Sequence, residues 1–205
     1  MDVNNVKRGF KSIADAMEQY YELFINLDTE ESELGYSMKQ GFSAVADAVN
    51  KNSGTDVGRL LAHAAMVLNE STHSKLSKII SNGILACGKA LRGKTEVNIS
   101  EAAYAFDAGV EAIMKYSGAK PGEKTILDVL IPARQALESA AGNGLSGQEA
   151  LKRVSEAATE GYEKSKDMKA VHGISAYYAD VSIGKLSGSA AVGKIIFDSL
   201  YEVFI

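Results

Sequence analysis

Tryptophan is absent from this sequence, which also has only two prolines, three histidines and a single cysteine. The lone Cys87 excludes a disulfide within the chain and argues against a thiolate zinc site, so we expect it in the core. The histidines (His63, His73 and His172) have no i, i+4 pairing and no adjacent serine or cysteine nucleophile. The sequence therefore offers neither a histidine zinc motif nor an acyl-transfer triad.

Strong charge and long apolar runs are missing as well. The formal net charge is −4 without a long basic run, so there is no electrostatic case for nucleic-acid binding. The apolar runs are too short to cross a bilayer, and the N-terminus (MDVNNVKRGF) lacks the core of a signal peptide. We expect a cytoplasmic protein with neither nucleic-acid nor membrane partners.

What the chain does contain is helical periodicity. Alanine, glycine, serine and lysine are plentiful, and apolar residues recur at three- and four-residue spacing. This pattern predicts eight helices. They cover about 3–24, 36–49, 56–68, 75–91 (interrupted near 81–83), 100–114, 125–141, 147–170 and 190–204. Ser100 is the predicted N-cap of the fifth helix, the sixth contains Pro132, and a capping box at Ser146 and Glu149 starts the seventh.

Short connections between the predicted helices make successive helices antiparallel. The sequence thus predicts an all-α, eight-helix, antiparallel up-and-down barrel or bundle, with residues 1–205 as a single domain. The loops after helices one, three, five and seven then lie at one end, and they are long and rich in glycine and oxygen-bearing residues. Because function concentrates in long loops on a rigid scaffold, we expect the site at that end.

The first of these loops is acidic, with Asp28, Glu30, Glu31 and Glu33 within six positions before Gly35. Several carboxylates in a short loop are typical of a site for a hard divalent cation. The same residues are also typical of a solvated linker whose acids favour the positive N-terminus of the next helix. The local pattern leaves both interpretations open.

The third loop, 118–125 (GAKPGEKT), approaches a phosphate-binding P-loop, but Glu123 occupies the position of the second glycine and the loop follows a helix. Gly122, Lys124 and Thr125 still combine backbone N–H groups with a cation near a helix N-terminus, which suits a phosphate. The alternative is a capped turn that happens to carry a lysine.

Three segments in order resemble the L subunit, or nucleotide-binding domain, of dihydroxyacetone kinases: 35–45 (GYSMKQGFSAV), 122–133 (GEKTILDVLIPA) and 173–184 (GISAYYADVSIG). The resemblance spans nearly the whole chain. It implies an eight-helix antiparallel barrel that holds ADP or ATP with two Mg²⁺ ions at one end. It also implies a partner, either a separate keto-sugar-binding kinase subunit or a phosphocarrier protein.

The resemblance implies a set of site residues and assigns no catalytic one. The family's magnesium-binding aspartates fall on Asn26, Glu31 and Glu33, and Asp28 lies close enough along the chain to compensate for Asn26. The implied cofactor-binding positions are Leu34, Ser37, Met38, Asn82, Gly83, Gly122, Lys124, Thr125, Ile174, Lys185 and Ser187. Among these, Asn82 and Gly83 occupy the place of the family's serine-glycine phosphate turn.

This chain departs from the family pattern at the metal- and phosphate-binding positions and keeps the residues that build the loops. Two aspartates become longer glutamates, and Asn26 removes a full negative charge. Mg²⁺ demands near-ideal octahedral geometry, so these changes predict impaired activity. The sequence leaves open a divergent phosphotransferase and a non-catalytic regulatory or interaction protein. It also leaves open a barrel for another small molecule or lipid, because Leu34 and Ile174 make the mouth more apolar.

Overall fold

Helices are the regular secondary structure of the part of the chain that the computed structural model describes, residues 1–27, 33–173, 176–177 and 179–204. No strand occurs in these ranges. In chain order the elements are α1 (Val3–Gln19), α2 (Tyr21–Leu27), α3 (Leu34–Lys51), α4 (Val57–Ser71), α5 (Lys75–Ala90), α6 (Ile99–Ser117), α7 (Leu127–Gly142), α8 (Gly147–Lys164), a 3₁₀ turn (Ser165–Asp167), α9 (Ala179–Ser182) and α10 (Gly188–Val203).

The long helices close into a ring. Contacts run from α1 to α3 and then between successive long helices to α8, from α8 to α10, and from α10 back to α1. Short connections make neighbours antiparallel, so the ring is an up-and-down barrel. The predicted all-α architecture is confirmed. None of the helices described is both long enough and apolar enough to cross a bilayer.

Side-chain caps set several helix starts. The predicted box at the start of α8 is confirmed, since Ser146 accepts from the Glu149 amide and Glu149 reaches back to the Ser146 amide. The expected cap at Ser100 is wrong, because Asn98 and Glu101 form the reciprocal box that starts α6. An asparagine with a glutamate three positions on satisfies two orphan amides at once.

Three other predicted boundaries differ from the structure. The first helix breaks at Tyr20 (φ −92°, ψ 13°), whose amide bonds to Ala16 O, and α2 follows as a separate short helix. Helix α5 runs without interruption through 81–83. Helix α8 ends at Lys164 instead of near residue 170, because the chain tightens into the 3₁₀ turn and is extended at Met168.

Neighbouring helices touch backbone to backbone where glycines face each other. A Cβ added at Gly58 in α4 would lie 2.5 Å from Gly88 O, Arg92 N and Leu91 C. One added at Gly88 in α5 would lie 2.7 Å from Gly58 O. Only the absence of side chains allows α4 and α5 to approach so closely.

Gly58→Ala should therefore destabilise the protein by about 1–3 kcal/mol, because the new methyl group overlaps backbone atoms that cannot rotate away. Urea unfolding followed by circular dichroism measures the loss. Gly142→Ala is the matched control, since nothing lies within 4 Å of the added carbon at the end of α7. The control should be neutral or stabilising by up to about 1 kcal/mol. Equal stability of the two variants would contradict the close-contact interpretation.

Candidate functional site

The connections at one end of the barrel lie close together. A Cβ at Gly188, which starts α10, would lie 2.8 Å from Leu34 Cδ2 at the start of α3. One at Gly41 in α3 would lie 3.2 Å from Thr72 Cγ2, just after α4. Hydrogen bonds join the α6–α7 loop to the α8–α10 connection. The candidate site is at this end, where the loops were expected.

The loop 122–125 is organised around a carboxylate that is not among the predicted site residues. Asp128, buried in the first turn of α7, accepts from the Gly122 amide at 2.5 Å and from the Thr125 amide at 2.6 Å. Gly122 has a φ of 89°, which suits glycine. Thr125 Oγ1 accepts from the Leu127 amide at 3.2 Å. The two loop amides expected to meet a phosphate are thus directed at Asp128.

Lys124 points into the protein and not out of the loop. Its side chain is buried, and its φ of 62° is left-handed. Nζ donates to the carbonyl oxygens of Ser165 (2.8 Å), Ser182 (2.8 Å), Met168 (3.3 Å) and Lys185. The sequence predicted that the Lys124 ammonium group would contact a phosphate. In the structure it donates to backbone carbonyl groups instead.

Glu123, next to Lys124, makes a second link between the same two segments. Its Oε2 accepts from the Lys120 amide at 2.7 Å and lies 2.6 Å from His172 Nε2. Its carbonyl oxygen accepts from the Val171 amide at 3.4 Å. The hydrogen bond to His172, followed by that to the Lys120 amide, holds the pKa of Glu123 below its ordinary value.

Ser187 has a structural position at the start of α10. As the N-cap it accepts from the Ala190 amide at 3.3 Å, and its hydroxyl lies 3.3 Å from Lys124 O. Its own amide donates to Ser165 Oγ at 3.1 Å. Lys185 contributes its carbonyl oxygen to the Lys124 site while its side chain is exposed.

The acidic connection is described only at its borders. Asn26 is exposed near the end of α2, and Glu33 is exposed immediately before α3, where its carbonyl accepts from the Ser37 amide. Asp28 and Glu31 lie outside the described residues, as does Ile174. Within the described ranges, no group of three or more histidine, cysteine, aspartate or glutamate side chains is placed to hold a metal ion.

The first turns of α3 present a buried face. Leu34 and Met38 belong to the hydrophobic core, and Ser37 between them is 3% exposed. These three expected cofactor positions therefore form part of the interior at this end. Leu34 was expected to make the mouth of the barrel more apolar. Its side chain instead packs in the wall of the barrel, close to Gly188.

Asn82 and Gly83 do not form a turn, so the sequence prediction of a break there is wrong. They lie in the middle of α5, about 10 Å along the axis from its first residue. Asn82 Nδ2 donates to Lys78 O at 2.8 Å. Gly83 is helical because it packs on α6, with an added Cβ only 2.6 Å from Ile113 Cδ1.

The connection between α4 and α5 at this end is the short segment 72–74, which is shorter than the predicted loop that reached residue 83. Ser74 caps α5. The hydroxyls of Thr72 and Ser77 are buried, and neither has a hydrogen-bond partner in the described part of the chain. Buried hydroxyls without partners are uncommon in folded proteins, so these two mark a place where another polar group fits. The sequence signal for this turn is the polar run 69–74, which ends at the capping residue Ser74.

With this geometry established, known proteins place the chain in a family. Residues 32–202 match the DAK2 domain. The chain belongs to the DAK2 domain family. The resemblance to the dihydroxyacetone kinase L subunit is thereby confirmed, and the four connections described above are the loop end of a DAK2 domain.

Two bacterial relatives match most of the chain. The Escherichia coli PEP-dependent dihydroxyacetone kinase, ADP-binding subunit DhaL, is 26% identical over 165 residues, which cover 80% of this chain and 79% of that protein. The ADP-binding subunit DhaL of PEP-dependent dihydroxyacetone kinase 1 from Listeria innocua is 24% identical over 197 residues, which cover 95% of this chain and 93% of that protein. The mouse triokinase/FMN cyclase is 27% identical over 149 residues, or 73% of this chain, and the match spans 25% of its length.

Solved structures show the same fold. The native dihydroxyacetone kinase of C. freundii superposes with a TM-score of 0.73 at 18% identity, covering 98% of this chain and 34% of that enzyme. The same enzyme in complex with AMP-PNP and Mg²⁺ gives a TM-score of 0.73 at 17% identity, covering 98% and 33%. The helical barrel is thus shared, while this DAK2 domain spans about a third of the enzyme.

The Glu123–His172 link should make the stability of the domain depend on pH. Because the folded-state pKa of Glu123 is lowered from 4.5, its contribution is present above that pH and is lost as pH falls through the folded value. Glu123→Gln should lower the urea midpoint at pH 7, and this difference from the wild type should shrink at acidic pH as the Glu123 carboxylate is protonated in the folded state. Glu70→Gln, on an exposed part of α4, is the control and should show no such difference. An equal loss at both pH values would contradict the link.

Proposed function

We propose that this DAK2 domain binds ADP or ATP together with Mg²⁺ at the loop end of the barrel and acts in phosphoryl transfer. The observation that carries the proposal is the convergence of four connections there, together with two buried hydroxyls that have no partner in the described part of the chain, those of Thr72 just after α4 and Ser77 in the first turn of α5. Support also comes from the ADP-binding subunits among the relatives and from the C. freundii fold.

The start of α5 is the part of this end best suited to phosphate. A helix N-terminus carries partial positive charge and amide donors, which favour an anion. Thr72 lies two positions before the Ser74 cap, and its hydroxyl would add a side-chain group to those amides. We therefore assign the phosphate-binding role to 72–74 in place of Asn82 and Gly83.

The donor set in the acidic connection fits Mg²⁺ in its chemistry. Asp28, Glu30, Glu31 and Glu33 supply carboxylate oxygens, the ligands that hard divalent cations prefer. When bound, the ion supplies neutralisation of the charge on the phosphate oxygens. Asn26 brings a neutral amide oxygen where the family has a carboxylate, so we expect weaker metal binding than in the usual aspartate set.

A protein partner at the same end completes the proposal, either a keto-sugar-binding kinase subunit or a phosphocarrier protein. Large apolar side chains are exposed on the segments around the loop end. They are Tyr36 (57%), Tyr177 (87%), Val181 (61%) and Ile183 (52%). Exposed aromatic and aliphatic groups concentrated at one end are typical of an interaction surface.

Isothermal titration with ATP and Mg²⁺ tests the nucleotide site. We expect binding, and we expect the double variant Glu31→Gln, Glu33→Gln to lose at least about tenfold in affinity through two lost carboxylates. Glu156→Gln with Glu160→Gln on the exposed face of α8 removes the same charge and should leave affinity unchanged. Absence of both heat and a thermal shift at millimolar ATP would overturn the proposal.

The second candidate function is that of a regulatory or interaction protein that keeps the barrel without nucleotide chemistry. The neutral and exposed Asn26 at the edge of the acidic connection favours it. On this alternative, Asn26→Asp combined with Glu31→Asp and Glu33→Asp should confer Mg²⁺-dependent nucleotide binding that the wild type lacks. Tight binding by the wild type in the same titration would exclude the alternative.

A further inference from the structure

Backbone carbonyl groups from two stretches of the α8–α10 connection converge on the ammonium group of Lys124. Ser165 and Met168 belong to the first stretch, and Ser182 and Lys185 to the second. An ammonium group has three N–H donors, so four acceptors within 3.3 Å use its donor capacity fully. The side chain therefore joins both stretches at one atom.

Neighbouring hydrogen bonds hold the same two stretches of the α8–α10 connection around Lys124 Nζ. The Gly184 amide donates to Lys166 O at 2.7 Å, which holds the two stretches side by side. The Ser187 hydroxyl lies 3.3 Å from Lys124 O, so residue 124 is tied to the connection through its backbone as well. Its left-handed φ of 62°, uncommon for a lysine, directs the side chain inward.

We propose that Lys124 is a tethered cation that fixes the α8–α10 connection over this end of the barrel, and is thus a positioning residue. Rings of backbone carbonyls bind K⁺ by replacing its hydration shell, and here a covalently attached ammonium group occupies such a ring. Turning the ammonium towards a bound anion would leave buried carbonyl oxygens without donors, which is costly. The role requires no nucleotide, so it extends beyond the proposed function and does not depend on it.

The test begins with Lys124→Gly in nucleotide-free protein. Glycine adopts the φ of 62° without strain, so the variant removes the cation while keeping the backbone conformation. Amide hydrogen exchange in 165–187 should accelerate at least about tenfold, since hydrogen bonds to a charged group are lost. Lys120→Ala, an exposed lysine in the same loop, is the control and should exchange like the wild type.

Rescue separates the cation role from ordinary packing. Methylammonium or K⁺ should restore slow exchange to the Lys124→Gly protein, because either ion can enter the carbonyl ring. Tetramethylammonium at equal ionic strength should not, since its four methyl groups keep the positive charge too far from the carbonyl oxygens for it to replace the ammonium group. Unchanged exchange in the variant, or equal rescue by tetramethylammonium, would overturn the proposal.

A measurement on the wild-type protein decides the matter if Lys124→Gly does not fold. A buried ammonium group held by carbonyls exchanges its protons slowly, so ¹⁵N-lysine-labelled protein should show an ammonium resonance at neutral pH that Lys124→Met lacks. Absence of that resonance would overturn the proposal. Neither measurement involves ATP, so a failure of nucleotide binding would be seen separately in the titration described above.

Discussion

Backbone contact between neighbouring helices is the constraint on which the barrel geometry depends. In addition to the α4–α5 contact, an added Cβ at Gly109 in α6 would lie 2.6 Å from Cys87 Sγ and 3.1 Å from Gly83 O. Cys87 is partly buried and packs against the core, and desolvation of its thiol there raises the pKa to about 12, which favours the unreactive protonated form. Helices held at backbone distance form a stiff wall, which fixes where each connection begins and ends.

One of these contacts leads directly to the candidate site. A Cβ at Gly161 in α8 would lie 2.2 Å from Asp128 O, so the first turn of α7 is seated against the α8 backbone. From that turn the Asp128 carboxylate holds the amides of Gly122 and Thr125. The loop so ordered directs Lys124 into the neighbouring connection. Packing between two helices thereby sets the position of groups on a third segment.

Each long helix in the described ranges was predictable, because an apolar stripe of helical period runs along it and a polar segment breaks the pattern on either side. Gly83 was misjudged because a glycine within a periodic segment suits a turn as well as a tight helix crossing, and only the presence of Ile113 opposite decides between them. Asn98 was missed as a cap because Ser100 is an equally good capping residue in isolation. The inward direction of Lys124 depends on carbonyls more than forty positions away along the chain, which no local pattern contains.

The retained motif therefore has a different meaning from the one its residue types suggest. Lysine, threonine and glycine beside a helix are typical of a phosphate-binding loop. Here the loop amides donate to Asp128, and the lysine ammonium group donates to four carbonyl oxygens. The similarity of 122–133 to the kinase family therefore indicates a shared loop structure. The groups that we propose for Mg²⁺ and phosphate lie instead in the acidic connection and in 72–74. Fold membership and the proposed activity thus rest on separate residues of one barrel.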